Sequence, residues 1–293
     1  MEKIIISIVI PTYNRTDLLI KTLQALNSQS YDLEKVEVIV IDDCSPSSPE
    51  NEILKLDTKY TLRFYREPSN IGQGKIRNRA IKLLVGKYIF FIGDDTIPQN
   101  NFLEEHMKLH DKSGGIAVLG TVLWAHELRN EFMDYIEKIQ FHYHTIKDRN
   151  DVKLHFYTSN ISLEKKWFED EEYSDKFRNY GLEDLELGYR LENKGLRVIY
   201  NPDAIVHHYH TYSFEQFCIR MRNVGISAVI FTKLHPELKK KYILPFRNLI
   251  KVGSYVLSIS YVKHINKKIY WYSNFVYYYL KGVEEELRNT KRE

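Results

Sequence analysis

Cysteine is nearly absent from this 293-residue chain: there are two, Cys44 and Cys218, far apart and in no metal-binding spacing. That excludes a disulfide framework and suits a reducing compartment. A dominant charge sign is missing too. Lys and Arg number 42 against 39 Asp and Glu, a net charge of +3 that gives no argument for nucleic acid as a partner. No apolar run approaches the ~20 residues needed to span a bilayer. The first such run, Ile4–Ile10, is short, carries Ser7, follows Glu2 and Lys3 and meets Pro11, so it does not read as a signal peptide. Internal repeats and low-complexity segments are also lacking. What is left is an ordinary globular composition, 43% apolar and 28% charged, in a chain long enough for one extended α/β domain or two joined halves. Aromatics are plentiful, with 22 Tyr and 14 Phe, and the tyrosines crowd towards the C-terminal end.

The first hundred residues alternate strand and helix patterns. Ile4–Ile10, Val36–Ile41, Leu62–Tyr65 and Tyr88–Ile92 read as strands; Thr16–Ser28 and Ile76–Leu84 have helical spacing. Continuous apolar strands are those of a sheet covered on both faces, and the alternation implies right-handed crossovers and a mainly parallel sheet. Farther along, the pattern predicts a helix from beyond Pro98 to His110, a strand over Ile116–Leu123, and a helix over residues 127–146. It then predicts a strand over Phe156–Leu163, a helix over Glu183–Asn193, and two short strands, Arg197–Tyr200 and Ala204–His208. From Ser213 onward the spacing is helical.

In mainly parallel sheets, ligands gather at the carboxyl ends of the strands. Three polar clusters fall right after strands: Pro11-Thr12-Tyr13-Asn14, Asp42-Asp43 and Asp94-Asp95. Adjacent acids repel, so Asp94 and Asp95 suggest a divalent cation that also grips phosphate. For the pair taken alone, capping of the next turn is the commoner explanation. The loop Asn70–Asn78 is neither a Walker A loop nor a dinucleotide fingerprint, but it feeds a helix start with Lys75 and Arg77 available to a phosphate. On the helix beginning at Glu183, Leu182, Leu185 and Tyr189 share the face expected to enter the core. Glu183 and Asp184 sit at its first turn, either as dipole-favoured acids or as a general base. In His207-His208-Tyr209-His210, strand alternation puts His208 and His210 on one side, a spacing used for metals.

In order along the chain, IVIPTYNR (8–15), VIVIDDCSP (38–46), NIGQGKIRNRAI (70–81), FFIGDDTIP (90–98), NYGLEDLELGYRL (179–191) and HHYH (207–210) resemble a family 2 glycosyltransferase. The resemblance spans about two-thirds of the chain. It implies a GT-A fold, that is, an α/β domain with a Rossmann-like mixed, mainly parallel sheet flanked by helices, here with a C-terminal helical extension. It also implies a nucleotide-sugar donor, a Mg²⁺ or Mn²⁺ ion, and inversion at the sugar carbon. Carried over by position, Pro11, Thr12 and Tyr13 would shape the nucleoside pocket, and Asp43 or Asp42 would accept from the base, favouring uridine or thymidine. Arg77 would lie near the nucleotide and Asp94 would contact ribose or a second metal position. Asp95 and His208 would bind the metal, with His210 the weaker candidate. Asp184 would be the catalytic base and Glu183 its fallback. One departure stands out: many members have a third acid two places before the last of the pair, and here that place is Gly93.

On this reading residues 1–112 form the nucleotide-sugar half, residues 113–212 the acceptor half with the base and the ligand histidines, and residues 213–293 a helical region. The acceptor would be a glycan, a polysaccharide or a lipid-linked glycan, and the enzyme would work in the cytoplasm or at the inner face of the membrane. In the tail, eleven uncharged residues separate Lys251 from Lys263 and twelve, IYWYSNFVYYYL, separate Lys268 from Lys281. Helices packed on the catalytic domain or in a homodimer are the first expectation; interfacial helices on an anionic leaflet are the second. The competing functions are a nucleotidyltransferase, which would not need Asp184 or the histidines, and a non-catalytic nucleotide-sugar-binding subunit.

Overall fold

The computed structural model describes residues 3–177, 181–243 and 247–290. The chain forms two compact units: Met1–Tyr173 with Leu187–His210, and Ser174–Glu186 with Thr211–Glu293.

The first unit is built on an eight-stranded sheet. Strand β1 (Ile6–Thr12) leads into helix α1 (Thr16–Leu26), then β2 (Val36–Asp42), the short α2 (Glu50–Ile53), β3 (Thr61–Arg66), α3 (Gln73–Ile81) and β4 (Tyr88–Ile92). Next come β5 (Thr96–Pro98), α4 (Phe102–His110), β6 (Ile116–Trp124), α5 (Glu131–Gln140), β7 (Asn160–Glu164), α6 (Glu183–Asn193) and β8 (Arg197–His208). The sheet order is β3-β2-β1-β4-β7-β6-β8-β5. Pairs β1/β2, β1/β4, β2/β3 and β6/β8 are parallel, while β7 and β5 run antiparallel to their neighbours. Every residue of β1, β2 and β4 is buried, which is why these strands read as nearly continuous apolar runs; the buried exceptions inside them, Ser7 and Glu37, meet when the Ser7 hydroxyl donates to Glu37 at 2.5 Å. Helix α1 lays Leu19, Leu23 and Leu26 on the sheet, the side its spacing predicts.

Four expectations need correction. The helix predicted over 127–146 is only α5. Asn130 caps it by accepting from the amides of Phe132 and Met133, and His142 turns left-handed (φ 51°) just after it. The strand predicted from Phe156 starts at Asn160. The two predicted strands at 197–208 are one, β8, whose pairing with β6 shifts register between Leu119 and Thr121; Gly120 is crossed while β8 spends Asn201–Ala204, so Pro202 costs no ladder bond. On α6 the fully buried apolar residues are Leu187 and Leu191; Leu185 and Tyr189, of the expected face, are half-buried, and Leu182 (φ 65°) lies before the helix.

In the second unit, α7 (Phe214–Leu234) opens with a Ser213/Gln216 capping box and packs on α11 (Lys267–Asn289). The two approach so closely that a Cβ on Gly282 would lie 2.0 Å from the Arg222 carbonyl oxygen, and one on Gly225 2.1 Å from that of Tyr279. Between them come α8 (Lys239–Tyr242), α9 (Arg247–Leu257) and α10 (Ser260–Ile265). Phe217 and Phe275 meet at 4.7 Å between ring centres in the core of this unit.

Candidate active site

The carboxyl ends of β1, β2, β4, β6 and β8 lie along one edge of the sheet, and the predicted clusters meet there. At the end of β4, Gly93 to Thr96 form a turn in which the Thr96 hydroxyl bonds both the amide and the carbonyl of Gly93 (2.8 and 3.0 Å). The turn delivers Asp94 and Asp95 side by side, 5% and 6% exposed. Thr12, from the end of β1, donates to Asp94 Oδ2 at 2.8 Å, and Thr22 of α1 donates to the Asp94 carbonyl at 3.0 Å. A Cβ at Gly93 would lie 2.8 Å from Asp95 Oδ1, so an acid there would displace Asp95 as it now stands.

Strand β5 explains how the histidines arrive. It pairs Thr96 with His208, and the Tyr209 amide donates to the Asp95 carbonyl at 2.7 Å. His208 Nε2 then lies 3.3 Å from Asp95 Oδ2, and His210 Nδ1 lies 3.9 Å from the same oxygen. His207 points away and meets Gln99 at 3.2 Å. The His208 ring stacks on Trp124, centroids 4.9 Å apart and planes 14° off parallel. Among the described residues its buried Nδ1 has no hydrogen-bond partner, so stacking rather than a second hydrogen bond orients the ring.

Arg15 is the feature that sequence reasoning missed. It stands at the start of α1, and its Nη1 lies 2.5 Å from Asp95 Oδ2 and 3.2 Å from Asp94 Oδ1. One guanidinium thus bridges the acid pair. Burial and the neighbouring Asp95 push the Asp94 carboxyl up to about 6, despite Arg15 and Thr12. For Asp95, burial works upwards but is outweighed by His208, Arg15 and His210, which hold it well below the usual carboxylate range.

The remaining expected donor-site residues are nearby but already engaged. Pro11 is buried and Tyr13 is exposed, as a pocket wall requires. Asp42 is fully buried and accepts from the Ser45 amide (2.9 Å) and from Arg66 (2.7 Å). Asp43 accepts from the amides of Ile71 and Gly72 (2.7 and 2.9 Å), which ties the glycine loop to the end of β2. A carboxylate has about four acceptor positions, so Asp43 keeps capacity for one more donor. Arg77 is not an open cation: it is 7% exposed, donates to the Gln73 carbonyl and packs over the Tyr173 ring.

Glu183 and Asp184 belong to the second unit. Glu183 is buried and folds back to accept from the Gly181 amide at 2.9 Å; Asp184 is half-buried and accepts from the Leu185 amide at 2.9 Å. Asn179 and Tyr180 of the same predicted segment lie outside the described residues.

Two carboxylates and two imidazoles form an oxygen-and-nitrogen donor set that suits Mn²⁺ better than the oxygen-seeking Mg²⁺. As the side chains stand, no group of three or more His, Cys, Asp or Glu among the described residues is arranged to hold a metal ion. The cation they share is Arg15. The donor chemistry fits a metal, with the guanidinium in its place.

An acid pair with two histidines thus stands at the carboxyl edge of the mixed, mainly parallel sheet of an α/β protein. The sequence profile described as glycosyl transferase family 2 matches residues 7–171, more than half of the chain. The chain belongs to glycosyl transferase family 2, and its fold is GT-A with a C-terminal helical region. Chondroitin synthase from Escherichia coli is 22% identical over 271 residues, covering 80% of this chain and 39% of that protein. The chain spans about two-fifths to two-thirds of the length of the first curated relatives it matches. Among solved structures, mannosyltransferase PcManGT from Pyrobaculum calidifontis, in complex with GDP-Man and Mn²⁺, superposes with a TM-score of 0.70 at 15% identity, covering 99% of this chain and 88% of that one. Residues 1–349 of Staphylococcus aureus TarS in complex with UDP give 0.59 at 17% identity, covering 98% and 92%.

Proposed function

We propose that this chain transfers a sugar from a nucleoside diphosphate sugar, a UDP-sugar first of all, to a hydroxyl of a glycan or lipid-linked acceptor, with inversion and with a divalent cation. The observation that carries the reading is the cluster of Asp94, Asp95 and His208 at the sheet edge beside Thr12. TarS in complex with UDP and PcManGT in complex with GDP-Man and Mn²⁺ support a nucleotide and a metal as ligands of this fold. Asp95 and His208 would hold the ion, with Asp94 and His210 beside them, and the ion would neutralise charge developing on the departing diphosphate.

The chain's own residues do the rest. Pro11, Thr12 and Tyr13 wall the nucleoside, Asp43 accepts from the base, and Arg77 stiffens the loop beside the nucleotide. Asp184 takes the acceptor proton as the new carbon–oxygen bond forms and the bond to the diphosphate breaks; the half-buried Asp184 suits this better than Glu183, which is turned back on Gly181. We read residues 1–112 as the donor half, 113–212 as the acceptor half and 213–293 as a docking region. The two free thiols, Cys44 and Cys218, fit work in the cytoplasm.

Calorimetry of UDP binding with Mn²⁺, with Mg²⁺ and with chelator tests the donor site. Metal-dependent binding in the wild type, lost in Asp95→Ala, is expected. In a screen of UDP-sugars, Asp184→Asn should keep donor binding and lose roughly 10²–10⁴-fold in turnover. UDP binding that ignores both metal and Asp95→Ala would refute the cation role, and full turnover in Asp184→Asn would remove it as the base.

A further inference from the structure

Helix α9 reverses the usual arrangement of an amphipathic surface helix. Leu249, Val252 and Val256 recur at i, i+3 and i+7 and share one face, which in a globular protein packs inward. Here Leu249 is 74% exposed, Val252 and Val256 are more than half exposed, and no described residue of the helix is buried. The basic side is the one turned inward: Lys251 pairs with Glu284 of α11 and lies 5.9 Å from the Tyr277 ring centre. Helix α10 continues the apolar surface with Tyr261 and Ile265, 72% and 70% exposed, and the first turns of α11 add Ile269 and Tyr272. Apolar surface of this extent is left in water only where something covers it.

The charge around the patch identifies the cover. From Leu238 to Val283 the sequence has nine Lys and Arg and no Asp or Glu, although the whole chain holds 39 acids. Lys263, Lys267 and Lys268 are exposed at its rim. A second copy of the chain fits poorly, because a two-fold contact would set this mainly basic fringe, in which Glu215 beside Lys263 is a lone exposed acid, against itself. An anionic bilayer supplies both complements: acyl chains for the Leu, Val and Ile side chains, and phosphates for the lysines. The exposed rings of Tyr255, Tyr261 and Tyr272 have the apolar body and polar tip that suit the headgroup level. No described helix is long and apolar enough to cross a membrane, so the element lies on the surface.

We propose that α9, α10 and the first turns of α11 form a docking surface for an anionic lipid bilayer. The inference does not depend on the donor-site reading. It concerns the second unit alone and would give the enzyme access to acceptors carried in a leaflet.

The test is co-sedimentation of the full chain with vesicles of phosphatidylcholine alone and of phosphatidylcholine mixed with phosphatidylglycerol, at low and high salt. Binding to the anionic vesicles only, weakened by salt, is expected. The triple variant Leu249→Asp/Val252→Asp/Val256→Asp should abolish it. Each lysine near such a surface contributes about fivefold in partitioning, so Lys263→Gln/Lys267→Gln/Lys268→Gln should weaken binding roughly a hundredfold. These side chains are exposed, so circular dichroism melts should be unchanged, and the lysine variant gives an answer even if the aspartates perturb the fold. UDP binding by the same variants should equal that of the wild type, which separates failure of this inference from failure of the donor site. Absence of vesicle binding overturns the proposal. So does a wild-type dimer that the α9 variant dissociates while neither protein binds vesicles, because the face then belongs to a second copy.

Discussion

Acidification from pH 7 to pH 5 should cost the first unit about 4 kcal/mol through two buried histidines. His106 is fully buried, with Nδ1 2.8 Å from Ser162 Oγ and Nε2 2.9 Å from Asn160 Oδ1; His110 Nε2 lies 2.8 Å from the same serine oxygen. Burial is the main cause that pushes His106 down to about 3 and His110 down to about 4. Both are therefore neutral in the folded protein at pH 5, whereas in the unfolded chain a histidine takes a proton below about 6.5. The unfolded state binds more protons in this window, so stability is present above about pH 6.5 and falls as pH falls. The slope is about 1.4 kcal/mol per pH unit per histidine, or about 2 kcal/mol each by pH 5, levelling off as the folded values near 4 and 3 are reached. Asp94, raised to about 6, works the other way: the stability associated with its protonated form is lost as pH rises through 6. The wild-type profile thus mixes signs, and the informative quantity is a difference. In urea denaturation, His106→Gln/His110→Gln should lose about 4 kcal/mol less than the wild type between pH 7 and pH 5, with the two profiles parallel above about pH 6.5. Equal losses would refute the argument, as would an NMR titration of either imidazole near 6.5.

Two further perturbations test the site and the helix pair. Arg15→Ala should tighten Mn²⁺ binding to the nucleotide-free protein, read by electron paramagnetic resonance of the free ion, because the guanidinium and the ion compete for Asp94 and Asp95. The Arg15 side chain is 40% exposed, so solvent screening limits the gain to about fivefold, and unchanged or weaker affinity would show that the two do not compete. Gly282→Ala should lower the melting temperature, with a cost of about 1–3 kcal/mol, because the added methyl meets the Arg222 carbonyl of α7 at 2.0 Å. A melting temperature raised by alanine's better helix propensity would mean that the helices are farther apart than described.

The sequence carried most of the sheet and the acid pair for a common reason: burial leaves a local signature. β1, β2 and β4 are covered on both faces, so apart from Ser7 and Glu37, which bond each other, their interior side chains are apolar, and a double acid at the end of β4 stands out against that background. Contacts made at long range leave no such trace. Arg15 sits 79 and 80 residues from its partners, and nothing in IVIPTYNR distinguishes a helix-start arginine from one bridging two acids. The role of Trp124 was hidden likewise, because a core tryptophan and one stacked on His208 are both apolar residues at a strand end. The α6 face was misread because Leu185 and Tyr189 repeat at the same four-residue spacing as Leu187 and Leu191, and spacing alone does not say which pair enters the core. In the tail the spacing reads as helical without saying which side of α9 is covered, because that is decided by tertiary packing that the pattern does not contain.

The acid pair also shows what would have to move for a cation to enter. Asp94 is held by Thr12 through its carboxylate and by Thr22 through its carbonyl; the Asp95 backbone is held by the Tyr209 amide; His208 is held by its place on β8 and by Trp124. These contacts come from four elements, β1, α1, β6 and β8 with the residue that follows it, and they fix Asp94, the Asp95 backbone and the His208 ring. Arg15 is the exception, since its long side chain reaches the acids from the rim and is the most exposed member of the cluster. Exchanging a guanidinium for an ion at this position therefore asks the flexible Arg15 side chain to swing outward and the donor side chains to draw together, since as they stand they are not arranged around an ion. Released from the acids, Arg15 would remain a cation beside the site proposed for a diphosphate, so its charge would still serve the same end.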